Sequence, residues 1–127
     1  MSKEQPCWCG NPDLASCCQP ILADTQPALT AEALMRSRYS AYVTGNTDYL
    51  LHSWHPAHRP TTVEHNPAQR WLGLKIKNTQ DGGISDETGV VEFVARFKID
   101  GRGHRLHERS RFTRLRGRWV YLDGSVV

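Results

Sequence analysis

The stretch CWCGNPDLASCC, residues 7 to 18, holds all four cysteines of the chain. Cys7 and Cys9 stand one residue apart, and Cys17 and Cys18 are adjacent. Thiolates serve as metal ligands, nucleophiles or redox centres, and spacing sorts among these uses. The two-residue gap usual in redox motifs is absent, and a disulfide between the adjacent Cys17 and Cys18 would be strained. The segment is polar, contains Pro and Gly, and is too short to form a core, so four unrelated buried thiols do not account for it. Metal ligation and redox chemistry are the two remaining readings.

The rest of the chain must supply a frame for this knot. With 127 residues, 39% of them hydrophobic and 23% charged, it suits one globular domain with a short N-terminal appendage. The opening MSKEQPCWCG lacks the apolar stretch of a secretory leader, and no run is long and apolar enough to cross a bilayer. A cytoplasmic protein without membrane attachment is expected, and in that compartment thiols stay reduced.

Residues 1–22 read as the cysteine segment and 23–29 as a linker. Thr30 caps a helix over AEALMRSRYSAYVT that Gly45 closes. Leu34, Arg38 and Tyr42 share one face of it, with Met35, Tyr39 and Val43 on the adjoining stripe. NTDYLLHSWHP predicts a short second helix ending at Pro56, and 57–69 a loop. From Trp71 the period becomes two. WLGLKIKN puts Leu72, Leu74 and Ile76 on one face, and VVEFVARFKI does the same for Val91, Phe93, Ala95 and Phe97. After the DGRG turn, Leu106, Glu108, Ser110 and Phe112 alternate with Arg105, His107, Arg109 and Arg111; RWVYLDG is the last strand, with Asp123 read as a turn residue. Helices followed by an antiparallel meander make an α+β domain.

Charge is uneven along this order. Residues 96–118 hold nine basic side chains against Asp100 and Glu108, a net of +7, which leaves −4 for the remainder of the +3 chain. Arg105, Arg109 and Arg111 form an outward ridge suited to a polyanion, with Arg114, Arg116 and Arg118 extending it. The competing reading sets these arginines against acids on the neighbouring strand, Glu92 first among them.

The segments LMRSRYSAYVTGNTDYLLHSWHP, WLGL, VEFVARF, ERSRF and W-x-Y-x-DG, running in order from Leu34 to Gly124, resemble the YchJ family of bacterial proteins. That resemblance implies a nuclear transport factor 2-like fold over 30–127: a curved antiparallel sheet with N-terminal helices on its concave face and a cone-shaped pocket between. CWCGNPDLASCCQP is similar to the SEC-C motif, a small zinc-binding module. Here seven residues separate Cys9 from Cys17, one fewer than usual, and Asn11 stands where Ser is usual after the glycine. The resemblance implies Zn2+ on Cys7, Cys9, Cys17 and Cys18. Tetrahedral sulfur ligation suits zinc, and four protein ligands leave no open position, so the ion would be structural.

The implied pocket offers Arg38, Tyr39, Tyr42, Trp54, Glu108 and Ser110 as ligand-binding residues. Glu108 would act as base with His55 or Tyr42 as donor, or else pair with Arg38 and lock the helix to the sheet; an arginine partner would lower its pKa and favour the second role. SEC-C modules are associated with protein or ribosome contact. The leading expectation is therefore a non-enzymatic binding or adaptor protein, dimeric through its sheet; the alternative is a small-molecule enzyme or ligand-binding protein using the pocket. His52, His55 and His58 are expected to bind no metal, because Pro56 interrupts their helix.

Overall fold

The computed structural model describes residues 5–127; the first four residues of the expected cysteine segment lie outside them. A single 3-10 turn, Leu14–Ser16, precedes α1 (Cys18–Leu22), α2 (Ala31–Thr44) and α3 (Thr47–His52). Four strands follow, β1 (Gln69–Asp81), β2 (Thr88–Ile99), β3 (Arg102–Leu115) and β4 (Arg118–Val126), paired as an antiparallel meander in sequence order. The fold is α+β, as expected, with the helices packed on one face of a curved sheet. Among the described residues, no helix is long and apolar enough to cross a membrane.

Helix α2 begins and ends where its capping chemistry dictates. The Thr30 hydroxyl accepts from the Ala33 N–H at 3.0 Å, and Gly45 closes the last turn in the left-handed region at φ 73°. α3 ends earlier than the sequence suggests. After His52 the chain runs beside β4 instead, where Tyr121 N–H donates to Ser53 O and His55 N–H to Tyr121 O, both at 2.8 Å. These bonds satisfy backbone groups that another helical turn would have used.

The strand reading holds on β2 and β3. Val91, Phe93, Ala95, Ser110 and Phe112 are buried on the helix-facing side, while Arg105, Arg109 and Arg111 are exposed on the other. It fails at Leu72, which is 56% exposed. The register shifts between Trp71 and Gly73, so Leu72 is the extra residue of a bulge, and Trp71 joins Leu74 and Ile76 on the inner face. Further shifts follow Ile76 on β1 and Arg111 on β3. Each bulge adds local twist and bends the sheet around α2.

The cysteine segment shares the core. Cys7, Cys9, Leu14 and Cys18 belong to one buried cluster with Leu34, Met35, Tyr39, Phe93 and Phe112. α2 is consequently covered on two sides, and no residue from Ala31 to Val43 is exposed, Ser37 and Ser40 included.

Candidate metal centre and adjoining pocket

Two short turns bring the four sulfurs together. Gly10, at φ +102°, lets the chain reverse after Cys9, with Cys7 N–H donating to Asn11 O at 2.8 Å and Gly10 N–H to Cys7 O at 3.0 Å. The second pair sits at the start of α1, where Cys17 N–H donates to Leu14 O at 3.1 Å. All four sulfurs lie within 4.8 Å of one another, with Cys9 and Cys17 3.6 Å apart and Cys17 and Cys18 3.8 Å apart. A tetrahedron with metal–sulfur bonds of ~2.3 Å places its sulfurs about 3.8 Å apart. The shortened spacing therefore still closes a four-sulfur cluster capable of metal binding.

The donor set fits a cation for a second reason. As thiols alone they compete for one negative charge. The Cys18 thiol donates to Cys9 and, with smaller help from the Asn11 backbone, Cys7 and Arg36, holds the Cys9 pKa down to about 4. That same bond pushes Cys18 up, while burial pushes Cys17 up. A divalent ion removes the conflict by neutralising several thiolates together. Side chains around the sulfurs are placed to assist: Asn11 Nδ2 donates to Cys17 Sγ at 3.2 Å, Arg36 Nη1 approaches Cys9 Sγ at 3.8 Å, and Ser40 Oγ lies 3.8 Å from Cys7 Sγ. The Gly10 N–H is spent on its turn, and it is Arg36 and Ser40 of α2 that approach the sulfurs. Their helical spacing of four was the available signal, with nothing local linking it to cysteines some 30 residues earlier.

On the other side of α2 lies a cavity of about 280 Å³ lined by Arg38, Tyr39, Tyr42, Trp71, Glu108, Ser110 and Tyr121, among others. Five of the six expected ligand-binding residues thus meet in one place. Trp54 does not line it; its ring packs edge-on against Tyr121 at 5.0 Å and beneath the Arg38 guanidinium at 4.9 Å, with its Nε1 buried and unpartnered. Glu64, His65 and Asn66 complete the lining from a loop whose sequence shows no periodicity.

The expected Arg38–Glu108 pair does not form. Arg38, 3% exposed, donates from Nη1 to Leu50 O at 2.8 Å and to Ser53 Oγ at 2.6 Å, and lies over the Tyr121 ring at 4.5 Å. Burial pulls its pKa below the ordinary value. Glu108 accepts from Ser110 Oγ at 3.4 Å and folds over Gly124, where a Cβ would fall inside its carboxylate. Helix facing and strand alternation placed both groups inside, but the Leu50 carbonyl of α3 and the Ser53 hydroxyl just beyond it take the guanidinium instead. Burial pushes the Tyr39 and Tyr121 hydroxyls up to about 12, helped at Tyr121 by the Glu108 charge, so both remain proton donors near neutral pH.

His55 is also misplaced as a partner for Glu108. It lines a separate cavity of about 430 Å³ with His52, Arg118 and Trp119, and its Nδ1 accepts the Ala57 N–H at 3.1 Å. The arginine ridge is broken by acids. Glu92 takes His107 at 2.7 Å and Arg109 at 3.5 Å, and Asp123, a strand residue of β4 and not a turn, takes Arg111 through two bonds. Arg118 pairs with Asp24 at 2.6 Å, and Arg114 stacks on Trp119 while tying the β1–β2 loop to β3.

The contact between Glu108 and Gly124 can be tested through coupling. Gly124→Ala should cost ~1–3 kcal/mol in urea unfolding because the carboxylate must leave its seat. Glu108→Ala in the same chain should recover most of that loss. Simple additivity of the two changes would show that the groups do not compete for space.

Comparison with known proteins agrees with this architecture. The profile of the YchJ middle NTF2-like domain matches residues 30–124. A UPF0225 protein of Chromobacterium violaceum is 51% identical over 125 residues, covering 95% of this chain and 93% of its own. One from Streptomyces coelicolor is 49% identical with 96% coverage of each. The solution structure of a SEC-C motif containing protein from Rhodopseudomonas palustris superimposes with a TM-score of 0.84 at 36% identity, covering 97% of this chain and 99% of that one. A crystal structure of a SEC-C motif containing protein from Psychrobacter arcticus gives 0.77 at 27%, covering 97% and 83%. The chain belongs to the YchJ family, with an NTF2-like domain and an N-terminal SEC-C motif.

Proposed function

We propose that this protein is a non-enzymatic binding protein in which zinc on Cys7, Cys9, Cys17 and Cys18 is structural and the cavity under α2 holds a small molecule. The observation carrying this reading is the double use of α2, whose Arg36 and Ser40 meet the sulfurs while Arg38, Tyr39 and Tyr42 line the cavity. Four sulfurs at tetrahedral separations favour zinc and leave it no open coordination position. Glu108 shares the cavity with Tyr42, one of its two expected donors, while the other, His55, lines a different cavity.

Metal analysis of protein purified without chelator is expected to give one zinc per chain, lost in Cys17→Ser with Cys18→Ser. Chelation should lower the melting temperature by at least ~10 °C, since the segment has little core without its ion. Unchanged stability after complete zinc removal would overturn the structural role.

The pocket is tested by an NMR screen of single-ring compounds, neutral and charged, against the zinc-loaded protein. Binders should shift resonances of Trp71, Tyr121 and the Arg38–Tyr42 stretch of α2. A screen whose hits all fall elsewhere would remove the pocket as the functional site.

A second reading, contact with nucleic-acid phosphates, is favoured by one end of the expected Arg105–Arg109–Arg111 ridge, at Arg105, rather than by Arg109 and Arg111, which are paired with acids. Arg96 and Arg105 stand directly opposite each other, and with Lys75 and Lys77 they line a furrow of about 260 Å³ over Gly73 and Val94. None of these four cations has a salt-bridge partner among the described residues, although like charges facing across strands are destabilising. Arg96→Glu with Arg105→Glu should abolish salt-sensitive co-sedimentation with ribosomes, while Arg109→Glu with Arg111→Glu should spare it. The reverse pattern would restore the ridge and exclude the furrow.

A further inference from the structure

We infer that the cavity under α2 is an anion site whose ligand is a small carboxylate carrying a hydrogen-bond donor at its far end, such as a hydroxy- or amino-substituted aromatic acid. This rests on the reading of the cavity as a ligand pocket and names what it selects.

The anionic pole follows from Arg38. A guanidinium buried without a carboxylate is costly, and proteins ordinarily place an acid beside it. Here no acidic side chain forms a salt bridge with Arg38 among the described residues, although Glu108 lines the same cavity. The Leu50 carbonyl and Ser53 hydroxyl both bind Nη1, and the rings of Trp54 and Tyr121 cover the guanidinium faces. The Tyr42 hydroxyl, in the same cavity, approaches the guanidinium and supports its charge. Neither Nη2 nor Nε is a fully buried unpartnered atom, since Trp54 Nε1 is the one such side-chain nitrogen among the described residues. A planar fork fixed at one nitrogen, with its remaining edge at a cavity wall beside a hydroxyl that a ligand can displace, suits a carboxylate, which guanidinium binds in two parallel bonds.

The second pole follows from Glu108. Its carboxylate would repel an anion brought close, so the ligand's acid must sit at Arg38 and something else must meet Glu108. Only Ser110 donates to Glu108 among the described side chains, at 3.4 Å, leaving acceptor capacity for a hydroxyl or ammonium. Trp71, Tyr39 and Phe93 supply apolar and aromatic wall to the same cavity. At about 280 Å³ the space falls just under the ~300–1,000 Å³ range of drug-sized sites, which suits one ring.

The probes are 4-hydroxybenzoate, benzoate, 4-hydroxybenzamide and tyramine, titrated by calorimetry and NMR into the zinc-loaded full chain. 4-Hydroxybenzoate should bind in the cavity about ten- to a hundredfold more tightly than its amide, the margin of a charge-assisted pair. It should also exceed benzoate, and Glu108→Gln should narrow that second margin while keeping the first. Arg38→Gln should erase the acid–amide difference; if that variant does not fold, the wild-type comparison decides alone. Equal binding of acid and amide in the cavity would overturn the anion site and leave the pocket standing. Tightest binding by tyramine would assign the cavity to cations through Glu108 and overturn it too. Acid binding confined to the outer-face arginines, or no binding by any of the four while other neutral compounds occupy the cavity, would overturn it as well.

Discussion

The structure depends on one helix being buried from two sides. α2 has no exposed position from Ala31 to Val43, yet only part of that surface is hydrophobic. The sheet takes Leu34, Met35 and Tyr39, and the other side presents Ser37, Ser40 and Arg36 to α3 and the cysteines. Polar groups buried in this way must be paired. Ser37 Oγ meets the Tyr49 hydroxyl at 2.6 Å and donates to Leu34 O at 2.7 Å, and Ser40 faces Cys7. A metal-bound thiolate is a good acceptor for such groups, so the cysteine knot is the cover this polar side of the helix requires.

On the outer surface, four acids settle charge locally. Glu92, Asp123, Asp24 and Glu32 each hold a cation, and their partners keep Glu92, Asp123 and Asp24 below the ordinary carboxylate range. These pairs sit on the surface, where each adds little stability. Against that background Arg38 stands apart. It is the most deeply buried charge, and it is held by carbonyl, hydroxyl and two rings.

Much of this could be read in the residues. The cap at Thr30, the stop at Gly45, the alternation along β2 and β3 and the sharing of one space by Arg38, Tyr42 and Glu108 all follow from local chemistry or from period. Bulges do not: the alternation of Trp71 to Asn78 is compatible with either face, and only pairing with β2 makes Leu72 the residue displaced outward. The absent Arg38–Glu108 pair failed for a related reason. Facing tells which side a group takes, whereas its partner depends on elements arriving from elsewhere, here the end of α3. His55 was lost once the chain left its helix to run along β4. The loop at Glu64–Asn66 carried no signal, since loops are placed by tertiary contacts that no local pattern encodes.

The metal cluster and the cavity are joined by helical geometry. At 3.6 residues per turn, positions two apart point to nearly opposite sides and positions four apart to the same one. Arg36 and Ser40 therefore share the sulfur side, and Arg38 and Tyr42, interleaved with them, share the cavity side. A rotation of α2 that loosened the first pair would necessarily swing the second. The sulfurs meet α2 at Arg36 and Ser40, and α3 holds it between them through Ser37 and Arg38. Gripped from both sides over this one turn, the helix resists rotation, and Arg38 keeps its place at the cavity wall. On this view the knot stands beside α2 to fix an orientation: four sulfurs that lie outside the cavity help set the geometry of its wall.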